Sequence, residues 1–183
     1  MSKLFLNPLV WLRRFRKRRG YGVHSPFAFN FITDVVYERW PYYAYRQLDL
    51  LHPQWICRLR LRPVKLSRLL FRVANYAHPR RACILGGTPI AKASLQAAVP
   101  SAQWTDSLSS PSFDLIYLDA PNADVLLYTH PDTVLVLDNL QTHLPFWQQL
   151  LSDQRVAISF DLYDVGIVMF NKRLNRKDYI VNF

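Results

Sequence analysis

Short apolar runs alternate with amphipathic segments over the second half of the chain, beyond Arg81. Apolar runs bounded by turn residues indicate buried strands, whereas apolar positions spaced three and four apart indicate helices. We predict strands at 83–85, 103–105, 113–119, 133–138, 156–162, 166–170 and 179–183, with helices at 90–99, 122–128 and 143–152. This α/β alternation predicts a mostly parallel sheet, to which the closing strands add antiparallel pairing at one side.

The first half of the chain predicts helices. Ser25-Pro26 is typical of a helix start, because a serine oxygen caps a free N–H group and proline lacks one. The apolar spacing that follows predicts a helix over 26–38. A second helix is expected over 64–78, with Lys65, Arg68 and Arg72 on its solvent side. The alternation at 58–63 favours an exposed strand or an extended connection.

Charge divides the chain into two unlike parts. Residues 1–81 contain 17 Lys and Arg against 3 Asp and Glu, and residues 82–183 contain 6 against 10, so a formal +14 is followed by −4. We therefore expect a basic, mainly helical N-terminal region (1–81) that packs on a sheet-forming core (82–183), within one structural domain.

The densest basic segment lies near the N-terminus. Its cations are Arg13, Arg14, Arg16, Lys17, Arg18 and Arg19, and an apolar anchor at 9–12 precedes them. Such a cluster suits a phosphate-rich partner, either nucleic acid or an anionic membrane surface. A solvated basic arm without a specific partner is the alternative.

The composition indicates a folded protein without a metal site, a disulfide framework or a membrane-spanning segment. Half of the residues are hydrophobic, which suits a folded core. Cys57 and Cys83 are far apart, and neither they nor the five histidines have metal-ligand spacing, so we expect no metal site and no disulfide framework. Without a bilayer-spanning apolar run or a signal-peptide pattern, we expect cytoplasmic residence, with peripheral membrane association left open.

The candidate ligand chemistry lies at one turn. The strand that starts near Ala82 runs into Gly86 and Gly87 and then into a helix-like segment. Glycines in such a turn let backbone N–H groups approach an anionic or polar ligand. Whether this turn binds anything decides between an enzyme and a protein that keeps only the fold of one.

Three segments carry a resemblance to a known family: Gly20–Phe29, Leu69–Tyr76 with the strand and glycine turn after it, and Asp161–Val168. They resemble a bacterial family of class I S-adenosylmethionine-dependent methyltransferases over nearly the whole chain. The resemblance implies a Rossmann-like methyltransferase sheet that binds S-adenosylmethionine at the C-terminal ends of its first strands. Methyl transfer itself does not require a catalytic residue, because positioning of the reactants supplies much of its acceleration. The cofactor-binding residues that it implies are Gly86, Gly87, Asp106 and Asp119.

The chain departs from that family at the cofactor loop. The resemblance implies an acidic residue at the end of the first strand, where Leu85 stands, and a longer flexible turn, where Thr88-Pro89 stands. Proline also removes one N–H donor. The resemblance further implies a ribose-binding carboxylate after the second strand, for which Asp106 is the candidate, 20 residues after Gly86.

The segment between the second and third predicted strands is too short for the complete fold of that family. Only seven residues, 106–112, separate Thr105 from Phe113, whereas a parallel crossover with its helix needs about a dozen or more. We therefore expect a sheet without the family's third strand and third helix. Asp119 and Asp138 end the next two strands, where ligands bind in open α/β sheets, although aspartates there also cap turns.

Two functions remain open at this point. The first is a minimal S-adenosylmethionine-dependent methyltransferase whose basic arm recruits an anionic substrate or a membrane. The second is a shortened, degenerate methyltransferase fold that serves as a non-catalytic binding or scaffolding protein. Its basic N-terminal half would contact nucleic acid, an anionic membrane surface or a protein partner, or it would pair with another copy or an active relative. The second function is favoured, because the glycine turn departs from the family's cofactor loop and the neighbouring edge of the sheet is expected to be missing.

Overall fold

A computed structural model describes Lys17 and residues 20–53, 62–109, 111–171 and 173–183. These residues form two compact units. The first contains the described residues up to Tyr76 together with Thr88–Pro100 and Asn182–Phe183, and the second contains Ala77–Gly87 and Ser101–Val181. The division of the chain at residue 81 into a basic region and a core stays a prediction. Among the described helices, none has the length and apolar character needed to cross a bilayer.

The first unit is helical. Its elements are α1 (Pro26–Phe31), which continues into a π-helical turn (Ile32–Val36), then α2 (Tyr43–Leu50), α3 (Arg62–Ala77, its last residue in the second unit) and α4 (Pro89–Ala98). The predicted start at Ser25-Pro26 is confirmed, since the Ser25 hydroxyl oxygen accepts a hydrogen bond from the Ala28 N–H at 3.3 Å. The helical stretch ends at Val36 rather than at residue 38.

Two expectations about α3 are wrong in part. Residues 58–61 of the predicted extended segment lie outside the described residues, but Arg62 and Pro63 belong to the first turn of α3, where proline is tolerated because its missing N–H has no helical partner. Arg72 is not on a solvent side, since only 6% of it is exposed. Lys65 is exposed, and Arg68 forms an ion pair with Asp49 at 2.6 Å.

The second unit is built on one seven-stranded sheet. Its strands are β1 (Arg81–Leu85), β2 (Gln103–Thr105), β3 (Leu115–Leu118), β4 (Val134–Asp138), β5 (Ile158–Asp161), β6 (Val165–Met169) and β7 (Lys177–Ile180), in the order β2-β1-β3-β4-β6-β5-β7. Only β6 runs antiparallel to its neighbours, β4 and β5. The predicted Rossmann-like methyltransferase sheet, mostly parallel with antiparallel pairing among its closing strands, is therefore confirmed.

The sheet is reduced at one edge, as the length of 106–112 predicts. β2 pairs with β1 alone and is the edge strand. Between Thr105 and Leu115, the described residues contain neither a strand nor a helix, and the chain returns directly to β3. The seven residues thus serve as a connection along the sheet instead of carrying another strand.

The central strands of the sheet are held in place by buried apolar side chains. All four residues of β3 are fully buried, on both faces of the sheet. On one face, Ile116 and Leu118 share an apolar cluster with three residues of α5 (Leu144–Ser152): Phe146, Trp147 and Leu150. Because β1, β3 and β4 are parallel and in register, their carboxyl ends meet at one edge, where Gly86, Asp119 and Asn139 follow them.

Candidate functional site at the glycine turn

The glycine turn after β1 has the left-handed backbone that glycine favours. Gly86 and Gly87 have φ of 78° and 82°, and Thr88 then caps α4 by accepting a hydrogen bond from the Ala91 N–H at 3.1 Å. Only glycine adopts such φ values without a steric cost. The sequence therefore encodes a sharp strand-to-helix turn, as expected for a loop that offers backbone N–H groups.

The carboxylate of Asp119 fills the space that Gly86 leaves open. A Cβ atom added at Gly86 would lie 2.0 Å from Asp119 Oδ1, and the Gly87 N–H donates a hydrogen bond of 2.7 Å to Asp119 Oδ2. The register explains the approach, because Leu85 pairs with Leu118 and so brings Asp119 level with Gly86. The turn is thus closed by an anion from its own chain.

A buried tyrosine extends this arrangement to β4. A Cβ atom added at Gly87 would lie 2.7 Å from Cε1 of Tyr117, whose hydroxyl donates a 2.9 Å hydrogen bond to Oδ2 of buried Asp138. Asp138 Oδ1 also accepts the N–H of Asn139, a left-handed residue with φ of 54°. The ends of β1, β3 and β4 are therefore held together by side chains of the protein itself.

Asp106 lies beside β1 but outside this network. Cys83 pairs with Thr105, so Asp106 stands one residue further along the edge strand, and its side chain is exposed. Burial, and secondarily the charge of Asp106, raises the pKa of the Cys83 thiol to about 11. Among the described residues, Asp106 makes no hydrogen bond with Gly86, Gly87 or Asp119. The structure thus brings together three of the four predicted cofactor-binding residues.

The cations predicted to bind anions can be placed only in part. Arg13, Arg14, Arg16, Arg18 and Arg19 lie outside the described residues. Lys17 is exposed, and its carbonyl oxygen accepts the Asn182 N–H at 3.0 Å. The proposed partner of this segment therefore stays a prediction.

A second carboxylate, Asp114, organises the opposite ends of β1 and β3. It accepts hydrogen bonds from the backbone N–H groups of Arg80 and Arg81, at 2.8 and 2.9 Å, and from His130 Nε2 at 3.0 Å. Although burial acts to raise it, the hydrogen bonds from Arg81, Arg80 and His130 hold the pKa of Asp114 below its ordinary value. This cluster stabilises the start of the sheet and lies away from the glycine turn.

The Gly87 N–H is a poor partner for the methionine carboxylate of S-adenosylmethionine. It already donates to Asp119, and the methionine carboxylate would meet a like charge there. The close approach that Gly86 permits is also taken by Asp119. Nor does the described part of the chain contain a group of three His, Cys, Asp or Glu side chains that could hold a metal ion.

Comparisons with known proteins give similar structures at low identity. No family model and no curated protein matches the chain. The O-methyltransferase TomG from Streptomyces achromogenes, solved with SAM, is 15% identical, with 72% of this chain and 91% of TomG covered and a TM-score of 0.47. The SAH-bound methyltransferase PaMTH1 from Podospora anserina is 13% identical, with 71% and 88% covered and a TM-score of 0.40. At such values nothing about activity or ligands is carried over to this chain.

The strand order and the glycine turn define a protein with a methyltransferase-like Rossmann fold. Sequence reasoning found the turn and Asp119 but missed Tyr117. A hydroxyl inside the apolar run Leu115–Leu118 was the available signal, because a buried hydroxyl requires a hydrogen-bond partner.

Proposed function

We propose that this chain is a methyltransferase-like protein that has lost S-adenosylmethionine binding at its glycine turn and serves as a non-catalytic binding protein. One observation carries the proposal: the Gly87 N–H donates to Asp119, whose carboxylate occupies the space beside Gly86. A backbone N–H already held by a charged acceptor is a poor site for a second anion. The short connection at 106–112, which leaves β2 as the edge strand, supports the same conclusion.

Calorimetric titration of the full chain with S-adenosylmethionine and with its demethylated product tests the first part. We expect no saturable heat and no thermal shift at millimolar ligand, while the same ligand stocks bind a working methyltransferase. Micromolar binding would overturn the proposal. Binding that disappears in Asp106→Ala, or in Asp119→Asn, would instead support a working pocket in which that carboxylate holds the cofactor.

The binding role is assigned to the basic N-terminal half. What supports it is the formal charge of +14 on residues 1–81 against −4 on the remainder. Clustered Lys and Arg favour phosphate-rich partners in the cytoplasm, either nucleic acid or an anionic membrane surface to which the protein would bind peripherally.

Salt dependence and charge removal test this role. Affinity for single- and double-stranded nucleic acid and for anionic vesicles is measured at increasing salt, and should fall steeply when phosphates are the ligands. The test variant replaces Arg13, Arg14, Arg16 and Lys17 with Gln, and the matched control replaces Lys92, Arg173, Arg176 and Lys177. Equal losses in both variants, or binding that salt does not change, would refute a specific role of the basic arm.

A further inference from the structure

The first unit contains a cleft of about 340 Å³ with aromatic walls. Rings of Phe27, Phe31, Tyr42 and Tyr76 line it, and Phe31 and Tyr76 meet edge to face with centroids 5.1 Å apart. This volume lies within the range of small-ligand pockets, roughly 300–1,000 Å³. Tyr76 stays 43% exposed beside the cleft, so the aromatic surface is open to solvent.

Two carboxylates line the same cleft, Asp34 and Glu38. Both Glu38 oxygens lie 2.8 Å from the Tyr42 hydroxyl, and Asp34 Oδ1 accepts the Thr33 hydroxyl at 2.7 Å. Within the described residues neither carboxylate forms an ion pair, whereas Asp49, the remaining acidic residue of 1–81, is paired with Arg68. Two carboxylates that have no cationic partner among the described residues indicate a place where a cation could bind.

Arg72 is the one cation among the described residues that line the cleft, and other groups of the protein already engage its guanidinium. Arg72 is 6% exposed, and its guanidinium donates to the carbonyl oxygens of Val35 at 2.5 Å and Val36 at 2.8 Å and to the Tyr45 hydroxyl at 3.2 Å. Its charge thus stabilises the carbonyl end of the π-helical turn, where partial negative charge accumulates. The described residues that line the cleft, two carboxylates and one guanidinium among them, carry a formal charge of −1.

We propose that this cleft binds an organic cation, an ammonium or guanidinium group on a short apolar stem. The aromatic faces attract the charge and cover the stem, and Asp34 and Glu38 accept its N–H groups. The same chemistry is offered by a free amine or by a Lys or Arg side chain of a protein partner. The cleft contains no residue of the glycine turn. The proposals of a cation site here and of lost cofactor binding at the glycine turn can therefore fail independently.

Matched probes separate charge from shape. The full chain, labelled with ¹⁵N, is titrated with n-butylguanidinium and n-butylammonium and with the neutral analogues n-butylurea and 1-butanol, and amide shifts are followed by NMR. We expect saturable shifts at Asp34 and Glu38 with the two cations, and at least roughly tenfold weaker binding of the neutral analogues. Equal affinity of charged and neutral probes, or shifts confined to other parts of the chain, would overturn the proposal.

Charge removal supplies the second test. Glu38→Gln keeps an oxygen for the Tyr42 hydroxyl and should weaken butylguanidinium binding by roughly fivefold or more. Asp34→Asn should act in the same direction and replaces Glu38→Gln if that variant does not fold. The control Asp124→Asn removes one exposed negative charge from the second unit and should leave binding unchanged. Full affinity in both cleft variants, or equal loss in the control, would refute the role of the carboxylates.

Capped tripeptides distinguish the two sources of the cation. If acetyl-Gly-Arg-Gly-amide binds as tightly as butylguanidinium, the cleft takes a side chain of a protein partner. If the peptide binds much more weakly than the free cation, the cleft takes a small amine. Both outcomes support a cation site.

Discussion

Replacement of Gly86 with Ala tests the internal closure of the glycine turn. The added Cβ atom would lie 2.0 Å from Asp119 Oδ1 and 2.6 Å from its Cγ, so the carboxylate must move away. That movement breaks the 2.7 Å hydrogen bond from the Gly87 N–H. Alanine must also adopt a φ of 78°, which is unfavourable for any residue with a side chain.

The expected cost follows from these two terms. The left-handed backbone costs alanine about 1–2 kcal/mol. The lost hydrogen bond to a charged acceptor adds roughly 1.5–3 kcal/mol, toward the low end because Asp119 is only half-buried. Gly86→Ala should therefore lower the free energy of unfolding by roughly 2.5–4 kcal/mol.

Urea unfolding followed by far-UV circular dichroism measures this cost, with two further variants to separate its terms. Gly22→Ala is the matched control, because Gly22 has a φ of 76° but an added Cβ meets no atom within 4 Å. It should lose only about 1–2 kcal/mol, the backbone cost alone. In the Asp119→Ala background, Gly86→Ala should cost the same small amount, since the clash and the hydrogen bond are already gone.

The cycle of Gly86→Ala and Asp119→Ala isolates the coupling between the two residues. We expect the double variant to be roughly 1.5–2 kcal/mol more stable than the sum of the single effects predicts. Strict additivity, or equal costs of Gly86→Ala and Gly22→Ala, would show that Asp119 does not occupy the turn in solution. The Gly87 N–H would then be available to an anionic ligand, and cofactor binding at this turn would not be opposed by Asp119.

Three other residues give independent predictions. Burial raises the pKa of the Cys83 thiol to about 11, so little of the reactive thiolate is present at pH 8. In the Cys57→Ser protein, Cys83 should therefore react with iodoacetamide at least roughly a hundredfold more slowly in the native state than in urea. Equal rates in the two states would contradict the burial of Cys83. Asp114 has a pKa below its ordinary value in the folded protein. Its stabilising effect is therefore present above the unfolded pKa of about 3.9 and is lost as pH falls through the folded pKa. In urea unfolding, Asp114→Asn should lose most stability relative to the original protein near pH 7, and the difference should shrink below about pH 4. Thr88→Ala should cost about 1 kcal/mol of unfolding free energy through loss of its helix cap, whereas exposed Thr142→Ala should cost almost nothing in the same assay.

The fold was largely predictable because its signals are local. Each segment predicted as a strand from Cys83 onward forms one within a few residues of its expected bounds, and Ser25 and Thr88 both cap helices that begin with proline. The reduced edge followed from chain length alone, since seven residues cannot hold a helical crossover.

The side-chain environments in the first unit were less predictable. Arg72 shares the helical spacing of Lys65 and Arg68, which predicts solvent exposure, yet it is buried beneath the end of the π-helical turn. Periodicity assigns a face to a residue but does not show that backbone carbonyl groups of another segment will lie against that face. The cleft beside Glu38 was missed for the same reason, since its walls come from segments far apart in the sequence.

The role of the two glycines depends on strand register, which the turn sequence does not contain. A glycine after a strand permits close approach of a ligand, but it equally permits close approach of a side chain from the neighbouring strand. Here Leu85 pairs with Leu118, so the residue after β3 comes level with the first residue after β1. Because that residue is Asp119, the Gly87 N–H receives an acceptor from within the fold. A one-residue shift of this register would move the carboxylate away from Gly86, and an asparagine at 119 would keep the acceptor oxygen while removing the charge. The pairing of β1 with β3, together with the acidic residue that ends β3, therefore decides whether this turn is available to an anionic ligand.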